Sequence, residues 1–93
     1  MTFDNMPDAL STRLRVSILA SIYNGEKDFN TLKKVLGVTD GNLSVQLSNL
    51  EGYGCVTIKK SILDKRSHTV CTITEYGREL FSEYVEMLTR AVE

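Results

Sequence analysis

Apolar residues recur along this chain with two different periods, and the change of period divides it. Leu10, Leu14, Ile18 and Ile22 fall on every fourth residue, with Leu19 and Tyr23 widening the stripe. That spacing predicts a first helix from near Asp8, just after Pro7, to a stop at Asn24–Gly25. Asp28 is placed to cap a short second helix, with Phe29, Leu32, Val35 and Leu36 on one side, Lys33–Lys34 outward and an end at Gly37. Thr39 can cap a third helix reaching Glu51 or Gly52, on which Leu43, Leu47 and Leu50 share a face. Beyond Cys55 the period drops to two. Val56 and Ile58 take one face of a strand, Thr69, Cys71 and Ile73 one face of the next, and "LDKRS" forms the hairpin tip between them. Thr74 then caps a last helix over residues 75–93.

Two helices joined by a tight, glycine-containing turn make a helix-turn-helix unit. With a hairpin and a final helix after it, the order is α-α-α-β-β-α. The fold class expected is mainly α with a small β-hairpin, a winged helix-turn-helix, as one domain over residues 1–93.

The third helix has an unusual outer surface. Placing Leu43 at zero, Leu47 falls at about 40° and Leu50 at about 340°, so the buried side is centred there. Gly41, Val45, Ser48 and Asn49 lie opposite, Asn42 is next to them, and Ser44 and Gln46 flank the boundary. None of these is charged, whereas a solvent-facing helix ordinarily carries Lys and Glu. Asn and Gln can pair with adenine in the major groove, an apolar group can touch the thymine methyl, and seryl hydroxyls reach phosphates or bases. Thr39, Asp40, Asn42, Ser44, Val45, Gln46, Ser48 and Asn49 are therefore the candidate DNA-facing residues of this helix and its start.

"LGVTDGNLSVQLSNLEGYGCV" followed by "DKRSHTVCTITEYG" resembles winged-helix regulators of the ArsR and MarR type, closest to a minimal branch with little beyond the winged helix. The likeness spans roughly residues 13–90 and rests on the leucine spacing, the G-x-V-T turn, the D-K-R wing and I-T-x-x-G together. It implies double-stranded DNA as partner, with a wing arginine in the minor groove. Such repressors often carry Arg or Lys where this chain has Val45, Ser48 and Asn49. Here the grip would rest on helix N-termini and on the hairpin.

Charge supports that division. The whole chain carries −1, but residues 55–74 hold four basic groups and one acidic, while residues 75–93 hold two and five. Lys59, Lys60, Lys65, Arg66 and His68 form the hairpin's basic set, with Asp64 expected to pair with or orient one of its cations. The last helix has two apolar rows, Tyr76, Leu80, Tyr84, Met87 and Ala91 beside Phe81, Val85, Leu88 and Val92. One row can pack on the first helix and the other needs a second copy. The expected dimer residues are Leu80, Phe81, Tyr84, Val85, Leu88 and Val92.

Other classes of function find little support. One histidine and scattered carboxylates make no catalytic constellation, so an enzyme is not expected. Cys55 and Cys71 lack C-x-x-C spacing, and the second helix has no cysteine pair, so no metal site or other cofactor is expected. Both cysteines are expected to be reduced and structural. No apolar run suits a membrane and the N-terminus does not resemble a signal peptide, which points to the cytoplasm. The expectation is a homodimeric DNA-binding transcriptional regulator, a repressor because no spare domain is available to contact polymerase. A small-molecule effector in a dimer cleft remains open. The competing class is a protein-interaction adaptor or antirepressor that uses the same fold without DNA.

Overall fold

Three of the expected helix starts are closed by the side chains placed there in the sequence. In the computed structural model, which describes Met1–Glu93, Asp28 accepts from the Thr31 N–H at 2.7 Å, Thr39 from Asn42 at 3.2 Å and Thr74 from Gly77 at 3.0 Å. Each satisfies a backbone donor that the first turn leaves free. The bond from the Thr31 N–H also holds the Asp28 carboxyl below its ordinary range.

The elements are α1 Arg13–Ile22, β1 Lys27–Asp28, α2 Phe29–Leu36, α3 Asp40–Gly52, β2 Val56–Leu63, β3 Arg66–Ile73 and α4 Glu75–Ala91. Gly37, with φ at +64°, takes the left-handed position that ends α2 and turns the chain into α3.

The structure corrects four expectations. The first helix begins at Arg13, not near Asp8. Asp8–Leu10 is a separate 3₁₀ turn, and Thr12, in extended conformation, caps α1 by accepting from Arg15 N–H. The hydroxyls of Ser11 and Thr12 bond neighbouring backbone, which offers the chain an alternative to helix at that point. The sheet has a third strand, in the order β1-β3-β2, with Lys27 opposite Cys71 and Asp28 opposite Val70. Two residues are too short to show an alternation. Val35 is 62% exposed, because Phe29, Leu32 and Leu36 already fill the inner side of an eight-residue helix. Asp64 makes no ion pair, and the two salt bridges present are Lys33–Asp40 and Arg90–Glu86.

Fourteen buried residues make one core, contributed by α1 to α4, both long strands, the turn at Ala9–Leu10 and Cys55 between α3 and β2. Leu43, Leu47 and Leu50 all lie in it, as their spacing requires. Tyr23, Phe81 and Tyr84 pack at its rim with ring centroids 5.6 and 6.2 Å apart, holding α4 against the end of α1. Arg78 lies over the Tyr23 ring and donates to the Tyr23 carbonyl, and the Tyr23 hydroxyl meets Ser82 Oγ at 2.8 Å.

The start of α4 is tied to the end of α3. Thr74 N–H donates to the Cys55 carbonyl at 2.9 Å and Thr74 Oγ1 to the Gly54 carbonyl at 2.6 Å. One turn on, Gly77 rests directly on the Cys55 peptide. A Cβ there would stand 3.0 Å from Cys55 Cα and closer still to its carbonyl oxygen.

Cys55 and Cys71 are both free and buried. Burial raises both thiols, and Cys71, with Glu51 nearby as a second cause, is pushed up to about 12 from 9.0. Its protonated form therefore favours the fold at neutral pH. That contribution fades as pH rises from about 9 towards 12, where the unfolded thiol ionises first. Both cysteines should resist a disulfide reagent in native protein at pH 8 and react on unfolding. Cys71→Ala should leave DNA binding intact and cost on the order of 1 kcal/mol. Rapid labelling of native protein, or binding abolished by mild oxidation, would contradict this.

Candidate nucleic-acid interface

α3 presents its outer side as the small residues demand. Gly41, Asn42, Ser44, Val45 and Ser48 are exposed, while Gln46 and Asn49 are half-buried. Opposite the three core leucines the surface is a low ridge without charge. At its start, Thr39 is committed to capping, and Asp40 is bridged to Lys33 of α2 at 2.7 Å. The bridge offsets the one negative side chain at the helix N-terminus, where backbone N–H groups otherwise attract anions.

Gln46 is the candidate whose surroundings differ most from the sequence reading. Its Oε1 accepts from Arg15 Nε at 2.9 Å. Arg15 also donates to the Asp8 carbonyl at 2.6 Å and to Ser11 Oγ at 3.1 Å, and lies 5.5 Å from the centre of the Tyr53 ring. The oxygen an adenine pair would use is thus already engaged, and the free edge of Gln46 is its amide N–H₂. Arg15 was missed from the sequence because it stands 31 residues from Gln46, and its position on α1 gives no sign of the contact.

The hairpin's basic residues do not form a single patch. Ile58 is opposite Cys71, Lys60 opposite Thr69 and Ser61 opposite His68. Because side chains alternate along a strand, Lys60 shares the face of Val56 and Ile58, while Lys59, Arg66 and His68 lie on the other face. Lys60 borders a cleft of about 360 Å³ between α3 and the sheet, with Ser44, Ser48 and Thr69 on its walls and Phe29, Leu47 and Ile58 as apolar lining. Glu51 also faces this cleft, and it makes no ion pair with Lys60.

Lys65 occupies the turn itself. Asp64 and Lys65 form a two-residue loop, both left-handed at φ +51° and +63°, which matches the twist of the strands. Asp tolerates that backbone and Lys does so at a cost of about 1 kcal/mol. Lys65 makes no ion pair that offsets the cost. The molecule as a whole is elongated, 50 × 24 × 21 Å.

A helix-turn-helix with an uncharged outer helix beside a protruding basic hairpin is the arrangement of a winged helix. The chain belongs to the winged helix DNA-binding domain family. The family's pattern matches residues 12–92. A similar curated protein is the uncharacterized protein MJ0432 of Methanocaldococcus jannaschii, 45% identical over 73 residues, covering 77% of this chain and 79% of that one. Among solved structures, a transcriptional regulator homologue from Pyrococcus horikoshii OT3 superposes with TM-score 0.82 at 31% identity, over 89% of this chain and 83% of that one. The transcriptional regulator BldR from Sulfolobus solfataricus superposes with TM-score 0.75 at 26% identity, over 87% of this chain and 58% of that one.

This winged-helix protein is a DNA-binding transcriptional regulator by family and fold. No helix in it is long and apolar enough to cross a membrane. Of the residues the sequence assigned to a dimer, Leu80 belongs elsewhere. It is 7% exposed and part of the core, because α4 turns this position inward with Gly77. Phe81 and Tyr84 are half-buried against the same core, which leaves Val85, Leu88 and Val92 outward.

Proposed function

We propose that the protein is a homodimeric repressor that lays α3 in the major groove of double-stranded DNA and holds the backbone with its wing. The observation that carries this reading is the uncharged ridge of Gly41, Val45 and Ser48, opposite the core leucines and flanked by the basic hairpin. A helix without long side chains can approach base edges closely, and cations beside it can meet the phosphates. In this reading Ser44, Ser48 and Asn49 contact bases or phosphates, Val45 meets a thymine methyl, and Gln46, steadied by Arg15, donates to a base or phosphate acceptor. Lys59, Lys60, Lys65, Arg66 and His68 supply the grip.

Dimerisation is supported by the outward apolar residues of α4, Val85, Leu88 and Val92. Paired half-sites would then follow from the two-fold symmetry. The repressor would act by occupying its site.

Salt dependence tests the grip. Lys65→Ala with Arg66→Ala should weaken binding to any duplex to a similar degree. It should also flatten the log–log salt slope, by about one unit for each phosphate the variant no longer neutralises. Asn49→Ala should instead cost about 1–3 kcal/mol on sites selected from a random pool and little elsewhere. If neither group of changes alters duplex binding, DNA is not the ligand and the adaptor reading replaces this one.

A further inference from the structure

The wing ends in two large aliphatic side chains that stand mostly in solvent, Leu63 beside a cleft it shares with Asn30 of α2. Ile62 is 79% and Leu63 59% exposed, at the last two positions of β2. They pair with Ser67 and Arg66 of β3, and the alternation of the strand sends them to opposite faces of the ribbon. β2 is an open edge of the sheet, the place where proteins usually set charge to prevent unwanted pairing. Lys59 and Lys60 do so here, yet the strand then turns apolar where it extends farthest from the core.

We propose that Ile62 and Leu63 form an apolar wedge with which the wing tip enters, widens and bends the minor groove of duplex DNA. The proposal rests on the DNA-binding reading above and adds to it an interaction that carries no charge. The surroundings of the pair select this occupant. Lys65 and Arg66 adjoin it at the turn beside Asp64, and Lys59 and Lys60 stand behind it, so positive charge outweighs negative around an apolar tip. The matching partner offers hydrocarbon surface between two rows of negative charge. The minor groove does so through the sugars of its walls, which stand between the phosphates and the hydrogen-bonding base edges of its floor.

The groove is only about 6 Å wide, less than a ribbon carrying side chains on both faces. Entry therefore requires opening the groove, and aliphatic wedges do this in other minor-groove proteins by partly unstacking a base step. Pyrimidine–purine steps yield most easily, so the wedge favours flanks with TA or CA steps that no side chain need read. The tip suits the role, since both residues are more than half exposed and neither belongs to the core.

The experiment measures the bend and the affinity together, using a short duplex with central TA steps and a fluorophore at each end. Wild-type protein should bring the ends closer. The variant Ile62→Ser/Leu63→Ser should leave the duplex straight and bind it roughly tenfold more weakly. Its salt slope should match wild type, since every phosphate is neutralised as before. Circular dichroism should be unchanged and melting little altered, because both side chains are mostly in solvent. A variant that bends and binds as wild type does would overturn the proposal while leaving the DNA-binding reading in place. A fall in sedimenting mass would overturn it in favour of an interface between copies. Wild-type protein that fails to bind any duplex at low salt would remove both.

Discussion

Gly77→Ala should destabilise this protein by about 3 kcal/mol, although it adds a single methyl group to a helix. In most helices the same change is favourable by up to about 1 kcal/mol. Here the new Cβ would overlap the Cys55 carbonyl and come within 3.0 Å of Cys55 Cα. Neither backbone can easily withdraw. Cys55 N–H is bonded to the Leu50 carbonyl at 2.9 Å, and its own carbonyl accepts from Thr74 N–H at 2.9 Å. Relief would need α4 to lift away from the turn after α3, breaking the Thr74 bonds that hold it there. Gly52→Ala is the control, because a Cβ at the end of α3 meets nothing within 4 Å. Urea unfolding should show a large drop in stability for Gly77→Ala and none for Gly52→Ala. Equal midpoints for the two variants would show that the packing of α4 on Cys55 is not rigid.

Glutamate placed along α4 should separate the residues that fold the chain from those that pair it. Leu80→Glu puts a carboxylate into the core with no partner, a cost on the order of 3 kcal/mol or more out of a typical stability of about 5–15 kcal/mol. It should unfold much of the protein. Val85→Glu with Leu88→Glu changes residues that are 44% and 38% exposed, so the fold should survive and only the pairing disappear. Sedimentation would show half the wild-type mass, with an unaltered helical spectrum. A wild-type protein that is monomeric at tens of micromolar, or a double variant that keeps its full mass, would refute dimerisation through this surface.

Both expectations depend on distinctions that an apolar pattern alone does not make. Leu80 and Val85 are both aliphatic residues on one amphipathic helix; the two rows drawn from their spacing separate them, but Phe81, drawn in the row of Val85, packs against the core. The helix carries apolar residues over more than one side, and which of them face α1 is set by the anchor at Thr74 and Gly77. The hairpin's four cations and His68 likewise looked like one set along the chain. Pairing across the ribbon divided them, because opposite residues share a face and neighbours do not.

What the sequence by itself determined were the features closed within a few residues. The caps at Asp28, Thr39 and Thr74, the glycine stop at Gly37, the leucine face of α3 and the hairpin tip each depend on interactions between near neighbours. They gave the element order and, with it, the winged-helix fold. Tertiary structure alone decided the features that depend on distant parts of the chain. β1 exists only because β3 offers it an edge, and Gly77 is constrained only because Cys55 lies beneath it. Gln46 has one edge engaged because Arg15 reaches it across 31 residues, while Ile62 and Leu63 are bare because the core ends before the wing does. The physical reason is common to all of them. Local propensity and periodicity assign a residue to an element and a side, whereas its neighbours across space are fixed only when the elements pack.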